Sequence, residues 1–249
     1  MCRHLAYSGT PTSLAALLFD PPHALVRQAW APRDMRGGGT INADGFGVAW
    51  YPPGHAEPVR YRSAAPMWSD AALPALAAAT VAGAVLAAVR SATVGMPVTE
   101  TAAAPFAEGP WLFSHNGVVR GWPESMVKAA GRLPVRDLIT LDAPTDAALL
   151  WALVRDRLRA GTPAPAAIAE VVAEVEAAAP GSRLNLLLTD GRRIVATTAG
   201  HALSVRATPG AVLVSSEPLD ADPAWQAVPD GHLLAATPST LTLTPLGSA

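Results

Sequence analysis

Apolar residues recur along this chain with two different periods, and the change between them predicts a mixture of strands and helices. Short segments with apolar residues at alternate positions are typical of strands with one buried face. The predicted strands are 3–7, 45–51, 59–62, 85–90, 111–114, 183–189, 193–198, 203–206, 211–215 and 233–236. We expect Asp190-Gly191 to join two of these strands as a hairpin, and Pro52-Pro53-Gly54 to connect another pair.

Helical spacing appears in four other segments. The clearest helix follows Thr145, where apolar residues recur at 149, 150, 153, 154 and 158. Further helices are predicted over 13–19, 71–82 and 166–178, with a turn at Gly83 after the second of these. Many strands with a few helices, not strictly alternating, favour a layered α+β sandwich over a doubly wound sheet. Without a repeat or a linker, the chain is interpreted as one domain over residues 1–249.

Composition narrows the classes of partner. Of the 249 residues, 15% are charged and the net charge is -2, so a basic nucleic-acid footprint is absent. The uncharged stretch 71–89 is nominally long enough to cross a bilayer, but Pro74 and Gly83 interrupt it. No membrane or nucleic-acid partner is therefore expected. The first residues lack a signal peptide pattern, and the single cysteine suggests a reducing compartment, so we expect a cytoplasmic protein.

That single cysteine, Cys2, directly follows Met1. Removal of Met1, which a small second residue normally permits, would leave a cysteine with both a thiol and a free α-amino group. Such an amine titrates near ~7.7–8.0 in model compounds, so part of it is a neutral base at physiological pH. The thiol would then be a nucleophile with its base on the same residue. Taken alone, however, a lone cysteine is more often a small buried apolar residue.

Patterns for metal or phosphate binding are missing from the sequence. The six histidines do not have the spacing of zinc ligands, and a single cysteine adds little to such a site. The run Gly37-Gly38-Gly39 lacks the Lys and Ser/Thr context of a phosphate-binding loop, and we interpret it as a mobile loop near the pocket. No cofactor and no metal are expected.

Four further segments accompany Cys2 in a fixed order. They are Asn42–Tyr51, Arg90-Ser91-Ala92-Thr93, Ser114-His115-Asn116-Gly117 and Thr145-Asp146. Together with a cysteine at position 2, they resemble the class II glutamine amidotransferase domain, and the resemblance covers essentially the whole chain. It implies the four-layer αββα sandwich of N-terminal-nucleophile hydrolases and a reaction on a small-molecule γ-glutamyl amide.

The third segment is a candidate oxyanion site. Attack of a thiolate on an amide needs donors aimed at the developing oxyanion, typically a side-chain amide and a backbone N–H. Asn116 can offer the amide and Gly117 the N–H, and the resemblance gives both residues this role. An Asn-Gly pair is also a common hairpin turn. Since a turn can present donors, both interpretations are kept.

Two charged residues suit the ends of a γ-glutamyl group. Arg90 can hold an α-carboxylate by two parallel hydrogen bonds, and Asp146 can pair with an α-ammonium. The resemblance implies these roles and adds Ser91, Thr93 and His115 to the substrate pocket. Alternatively, Arg90 is a surface residue at the end of a strand, and Asp146 serves the helix dipole.

One departure from the family pattern affects the expected substrate. Many glutaminase domains of this class have His-Gly where this chain has Val94-Gly95. The change weakens the expectation of strict glutamine use, although not that of γ-glutamyl recognition. The residues 1–7, 42–51 and 90–97, followed by Ala104-Pro105-Phe106, instead resemble a branch of stand-alone hydrolases acting on a γ-glutamyl conjugate.

The resemblance to that branch implies a leaving group with a trimethylammonium, which would favour an aromatic face. The candidates for this cation subsite are Tyr7, Trp30, Trp68 and Trp111, each of which could equally be a core or surface residue. Two alternatives to a hydrolase stay open. The chain could be a glutaminase subunit that supplies ammonia to a separate synthase, or a γ-glutamyl-binding homologue that keeps Met1 and has no turnover. A homo-oligomer is compatible with each of them.

Overall fold

The computed structural model describes residues 2–36 and 39–247, and within them two antiparallel sheets form the centre of the protein. The first sheet has seven strands in the order β11-β9-β10-β1-β4-β2-β3. Its strands are β1 (Arg3–Ser13), β2 (Phe46–Trp50), β3 (Val59–Ser63), β4 (Val81–Val89), β9 (Ser204–Thr208), β10 (Ala211–Ser215) and β11 (Trp225–Ala227).

The second sheet has six strands in the order β13-β12-β8-β7-β6-β5. Its strands are β5 (Phe106–Glu108), β6 (Trp111–Val118), β7 (Arg183–Thr189), β8 (Ile194–Thr198), β12 (His232–Thr237) and β13 (Thr240–Pro245). The helices are α1 (Ala15–Leu18), α2 (Leu25–Gln28), α3 (Leu73–Ala79), α4 (Val127–Ala130), α5 (Val135–Ile139), α6 (Asp146–Arg159) and α7 (Ala164–Ala178).

Three apolar cores separate the layers, and each sheet contributes to two of them because side chains alternate across a strand. In β1, Leu5 packs under the helices α1–α3, whereas Ala6 faces the second sheet. In β7, Leu187 belongs to the core between the sheets, and Leu186 packs under α6 and α7. The order helix, sheet, sheet, helix confirms the predicted four-layer αββα sandwich.

Two predicted turns are wrong. Gly83 lies inside β4, where an added Cβ would come within 3.0 Å of the Gly9 carbonyl oxygen, so the glycine permits close approach of two strands. Asn116-Gly117 also lies inside a strand, since β6 continues to Val118 and pairs with β7 throughout. In both places a glycine that resembled a turn signal serves close packing within a sheet.

The remaining elements follow the predictions with shifted ends. The strands 45–51 and 59–62 do pair, and Asp190-Gly191 does join β7 to β8. The helix predicted over 71–82 is shorter, because Thr80 is already extended and β4 begins at Val81. Within residues 2–36 and 39–247, no helix has the length and apolar composition of a membrane span. The pattern missed three short strands, β5, β11 and β13, and three short helices, α2, α4 and α5.

Candidate active site

Cys2 lies directly before β1, the central strand of the first sheet, and is half-buried. Its Sγ lies 3.8 Å from the carbonyl oxygen of Ser91, which follows the neighbouring strand β4. A pocket opens at this point between the two sheets, with about 490 Å³ of empty space that is partly open to solvent. Cys2, Arg90, Ser91, Thr93, His115, Gly117 and Asp146 all line it. The fold therefore gathers seven of the eight predicted catalytic and γ-glutamyl-binding residues around one cavity.

Arg90 supplies a buried positive charge to this pocket. Its backbone is fixed on both sides, since its N–H donates to Gly45 at 2.8 Å and its carbonyl accepts from Asp44 at 2.9 Å. The guanidinium donates to the carbonyl oxygen of Pro97 at 2.8 Å. Among the described residues it has no carboxylate partner, although only 8% of Arg90 is exposed. A cation held in this way is suited to an incoming carboxylate.

Ser91 and Thr93 form the rim beside Cys2. The segment is fixed by Asp44, whose carboxylate accepts a hydrogen bond from the N–H of Ala92 at 2.8 Å. A turn then follows, in which Met96 N–H donates to the Thr93 carbonyl at 2.9 Å. The Ser91 carbonyl is thereby held where it can accept the Cys2 thiol proton.

Asp146 supplies the opposite charge. Thr145 caps α6, its Oγ1 accepting from the Ala148 N–H at 3.2 Å, and this places Asp146 in the first turn facing the pocket. The carboxylate accepts from the N–H groups of Ala147 at 2.7 Å and of Val119 at 3.0 Å. No cationic side chain of the described part of the chain pairs with it. The alternative interpretation of Asp146 holds as well, because a carboxylate in the first turn of α6 interacts favourably with the helix dipole.

His115 and Gly117 face the pocket from the same side of β6. The His115 Nε2 lies 3.0 Å from the Arg183 carbonyl oxygen, so Nε2 carries the proton that it donates. An added Cβ on Gly117 would collide with that same carbonyl and with the His115 ring. A glycine is therefore needed for the ring to reach Arg183, and the Gly117 backbone stays open toward the pocket.

Asn116 lies on the opposite face of β6 from His115 and Gly117, the face that it shares with Ser114. It is 1% exposed and does not line the pocket, in contrast to its neighbours. Its Oδ1 is enclosed and has no hydrogen-bond partner among the described residues. The prediction that its amide meets an oxyanion thus stays a prediction, whereas the adjacent Gly117 lies on the pocket wall.

A buried polar cluster behind Cys2 was not predicted. The Nδ1 of His4 lies 3.1 Å from the Ser114 Oγ, and Ser114 lines the pocket. Burial, with contributions from His115, His201 and Arg3, lowers the pKa of His4 to about 3. Burial and the charge of Arg183 likewise lower the pKa of His201 to about 3. Both rings are therefore neutral at physiological pH. Period-two spacing from Cys2 would have placed His4 on the same face.

The segment 215–218 contains a buried anchor, the carboxylate of Glu217. Glu217 pairs with Arg3 at 3.2 Å and also accepts from the N–H groups of Arg33 at 2.8 Å and Asp34 at 3.2 Å. Arg3 in turn donates to the carbonyl oxygen of Cys2 at 3.1 Å. This ion pair fixes the backbone of the candidate nucleophile and gives Glu217 a positioning role.

The four aromatic residues predicted for a cation subsite lie away from the Cys2 pocket. Among the residues described, none of the four aromatic candidates lines the Cys2 pocket. Tyr7 packs in the outer core and donates to the Thr10 carbonyl at 2.6 Å, and Trp30 is covered by the Arg27 guanidinium. Trp68 is exposed beside α3, and Trp111 borders a separate groove at the far end of β6. Their positions on different strands and layers keep them apart.

Two expectations concern residues outside the described ranges. Met1, whose removal would free the Cys2 amine, is one of them. Gly37 and Gly38 of the predicted mobile loop are the others, and of that run only Gly39 is described.

The two-sheet sandwich with a cysteine entering its central strand is the arrangement of the N-terminal-nucleophile hydrolases. The family described as class II glutamine amidotransferases matches residues 12–211, and the chain belongs to this family.

Individual relatives extend the likeness to the whole chain. A γ-glutamyl-hercynylcysteine sulfoxide hydrolase of Mycolicibacterium smegmatis is 42% identical over 247 residues, covering 99% of this chain and 100% of the relative. The protein of the same name from Mycobacterium tuberculosis is 41% identical, covering 100% and 98%. Among solved structures, a glutamine aminotransferase class-II domain protein from Silicibacter pomeroyi matches with a TM-score of 0.71 and 25% identity, over 99% and 100% of the two chains.

Proposed function

We propose that this protein hydrolyses the γ-glutamyl amide of γ-glutamyl-hercynylcysteine sulfoxide, a step of ergothioneine biosynthesis, and releases glutamate and hercynylcysteine sulfoxide. The observation that carries the proposal is the charge pattern around Cys2. Arg90 and Asp146 present one buried cation and one buried anion to the same pocket, each without a charged partner in the described chain. An α-carboxylate and an α-ammonium on one ligand would satisfy both. The names of the full-length relatives support the choice of leaving group.

The chemistry follows from the residues around the thiol. With Met1 removed, the Cys2 amine accepts the thiol proton, and the thiolate attacks the γ-carbonyl carbon. The Gly117 N–H and the Asn116 amide stabilise the oxyanion. The protonated amine then gives its proton to the departing nitrogen as the C–N bond breaks, which leaves a γ-glutamyl thioester on Cys2. Water, deprotonated by the same amine, hydrolyses the thioester and restores the thiol.

Glutamate release by the purified protein tests the proposal. We expect release from γ-glutamyl-hercynylcysteine sulfoxide to exceed release from glutamine, and a Cys2→Ala variant to release none. Intact mass of the active protein should correspond to a chain without Met1. Full activity in a chain that retains Met1 would refute the amine as base, and equal activity of the Cys2→Ala variant would refute the nucleophile.

The family itself supports a second candidate, a glutaminase that supplies ammonia to a separate synthase. Faster release from glutamine than from the sulfoxide would favour it. A chain that binds γ-glutamyl ligands but releases glutamate from neither substrate would be a homologue without turnover. The single cysteine supports a cytoplasmic location for either reaction.

A further inference from the structure

A groove adjoins the Cys2 pocket and shares Thr93 and Met96 with it. Its walls are the turn at Val94-Gly95 and the segment from Val118 to Pro123. Three other grooves of the described chain share no lining residue with the Cys2 pocket. A ligand too large for the pocket would therefore extend into this groove.

The groove wall begins one residue after Gly117, which lines the pocket and whose N–H is proposed to meet the oxyanion. Because the departing nitrogen is bonded to the carbon that carries the oxyanion, the leaving group starts within reach of this wall. The wall is also firmly held. Val119 donates to the Asp146 carboxylate at 3.0 Å, and the Arg120 N–H donates to the Ser182 Oγ at 3.0 Å.

Two side chains give the groove its chemistry. Trp122 is half-buried, packs on the core beneath α6 and α7, and lines the groove, so its ring is a supported aromatic wall. Arg120 is exposed, donates from Nε to the Gly181 carbonyl at 3.4 Å, and has no carboxylate partner among the described residues. A tryptophan face attracts a quaternary ammonium, and a guanidinium binds a carboxylate.

We infer that this groove is the leaving-group subsite, with the Trp122 ring against the trimethylammonium half of the amine and Arg120 on the carboxylate beside the scissile amide. The inference rests on the proposed function and replaces the four aromatic residues suggested by the sequence. Arg120 precedes Trp122 along the wall, which matches the order of carboxylate and cation along the leaving group.

Three substrates separate these roles. γ-Glutamyl-hercynylcysteine sulfoxide carries both groups, γ-glutamylcysteine carries only the carboxylate, and glutamine carries neither. For Trp122→Leu we expect the ratio of kcat/KM between the sulfoxide and γ-glutamylcysteine to fall about tenfold, with a smaller fall for Trp122→Phe. For Arg120→Ala we expect the ratio between γ-glutamylcysteine and glutamine to fall about tenfold.

Trp68→Ala, a change of an exposed tryptophan outside the groove, is the matched control and should leave both ratios unchanged. Unchanged ratios in the Trp122 and Arg120 variants would overturn the inference, as would an equal loss on all three substrates, which would place the groove at the glutamate end. Because Trp122 contacts the core, each variant is first compared with the parent by circular dichroism, and the exposed Arg120 provides a variant with little risk of misfolding. Failure of the parent protein to release glutamate from any of the substrates would instead refute the proposed function.

Discussion

The Nδ1 atom of His4 lies 3.1 Å from the Oγ of Ser114, and this hydrogen bond joins the two sheets directly behind the Cys2 pocket. His4 belongs to β1 and Ser114 to β6, so one side-chain contact links the strand that follows the candidate nucleophile to the strand that carries Gly117. The His4 Nε2 is enclosed without a partner among the described residues. A charged ring would be poorly accommodated there, which explains why its pKa is lowered.

Stability should therefore decline in mild acid. The pKa of His4 and of His201 is lowered to about 3 in the folded protein, against an ordinary value of 6.5. Below about pH 6.5 these two histidines bind protons in the unfolded chain but stay neutral in the folded protein. Each histidine then lowers the free energy of unfolding by up to about 1.4 kcal/mol per pH unit, down to about pH 3, and contributes no such loss above pH 6.5.

Denaturant unfolding between pH 7 and pH 4 measures this slope. A His4→Asn variant keeps a hydrogen-bonding group near Ser114 but cannot take up the proton. Its free energy of unfolding should therefore fall less steeply with pH, by the contribution of about one proton. An identical slope in both proteins would mean that His4 takes up its proton as readily in the folded state as in the unfolded state, so that folding does not lower its pKa. His55, an exposed histidine, gives the control variant His55→Asn.

Gly117→Ala should damage both stability and activity. The added methyl group would meet the Arg183 carbonyl and the His115 ring, so β6 must move away from β7 or the ring must leave its hydrogen bond. Overpacking of this kind costs about 1–3 kcal/mol. Thermal unfolding and glutamate release check the two effects. Gly39→Ala, where nothing lies within 4 Å, should change neither, and a fully active Gly117→Ala protein would contradict the proposed oxyanion donor.

Hydropathy patterns could predict most of the layers, because the inner and outer cores depend only on alternation along strands and on helical spacing. The same patterns failed at Gly83 and at Asn116-Gly117. There, the glycines allow close contact with Gly9 and with Arg183, which are distant in sequence. A local turn signal cannot be told from close packing until the neighbouring strand is known.

The site divides in a similar way. Cys2, Arg90 and Asp146 were predicted from their chemistry and the family pattern, and the fold brings them to one pocket. The aromatic subsite was predicted from residue type alone, and the position of a tryptophan depends on strand and loop geometry. Trp122 could not be selected from the sequence, because the groove that it lines forms only where its segment meets the distant 93–96 turn.

Loss of the negative charge at one end of the γ-glutamyl pocket, or of the forked donor at the other end, should raise KM more than it lowers kcat. Asp146→Asn keeps an oxygen acceptor for the Val119 N–H but removes the negative charge, and Arg90→Lys removes the forked donor. Hydrogen bonds to charged groups are worth about 1.5–3 kcal/mol, so KM for the sulfoxide substrate should rise about 10- to 100-fold.

Steady-state kinetics of glutamate release gives the split between KM and kcat. Asp156→Asn provides a control that removes one charge from the same helix away from the pocket. If the Asp146 and Arg90 variants bound substrate as the parent does, the assignment of the two ends would be wrong.

The ion pair between Arg3 and Glu217 should link the stability of the protein to the position of Cys2. Glu217 is 3% exposed, and its carboxylate holds Arg3 as well as the N–H groups of Arg33 and Asp34. Glu217→Gln would leave the Arg3 guanidinium buried without a counter-charge, and breaking a buried pair from one side costs about 3–5 kcal/mol. Since Arg3 also donates to the Cys2 carbonyl, kcat should fall with stability. Thermal unfolding, hydrogen exchange at the amides of residues 33 and 34, and glutamate release measure the three consequences.

The control for this prediction is Asp34→Asn, which removes a carboxylate from an exposed pair with Arg36 and should change stability by less than about 1 kcal/mol. A Glu217→Gln protein with parental stability but reduced kcat would show instead that Glu217 acts on the reaction by a route other than this anchor.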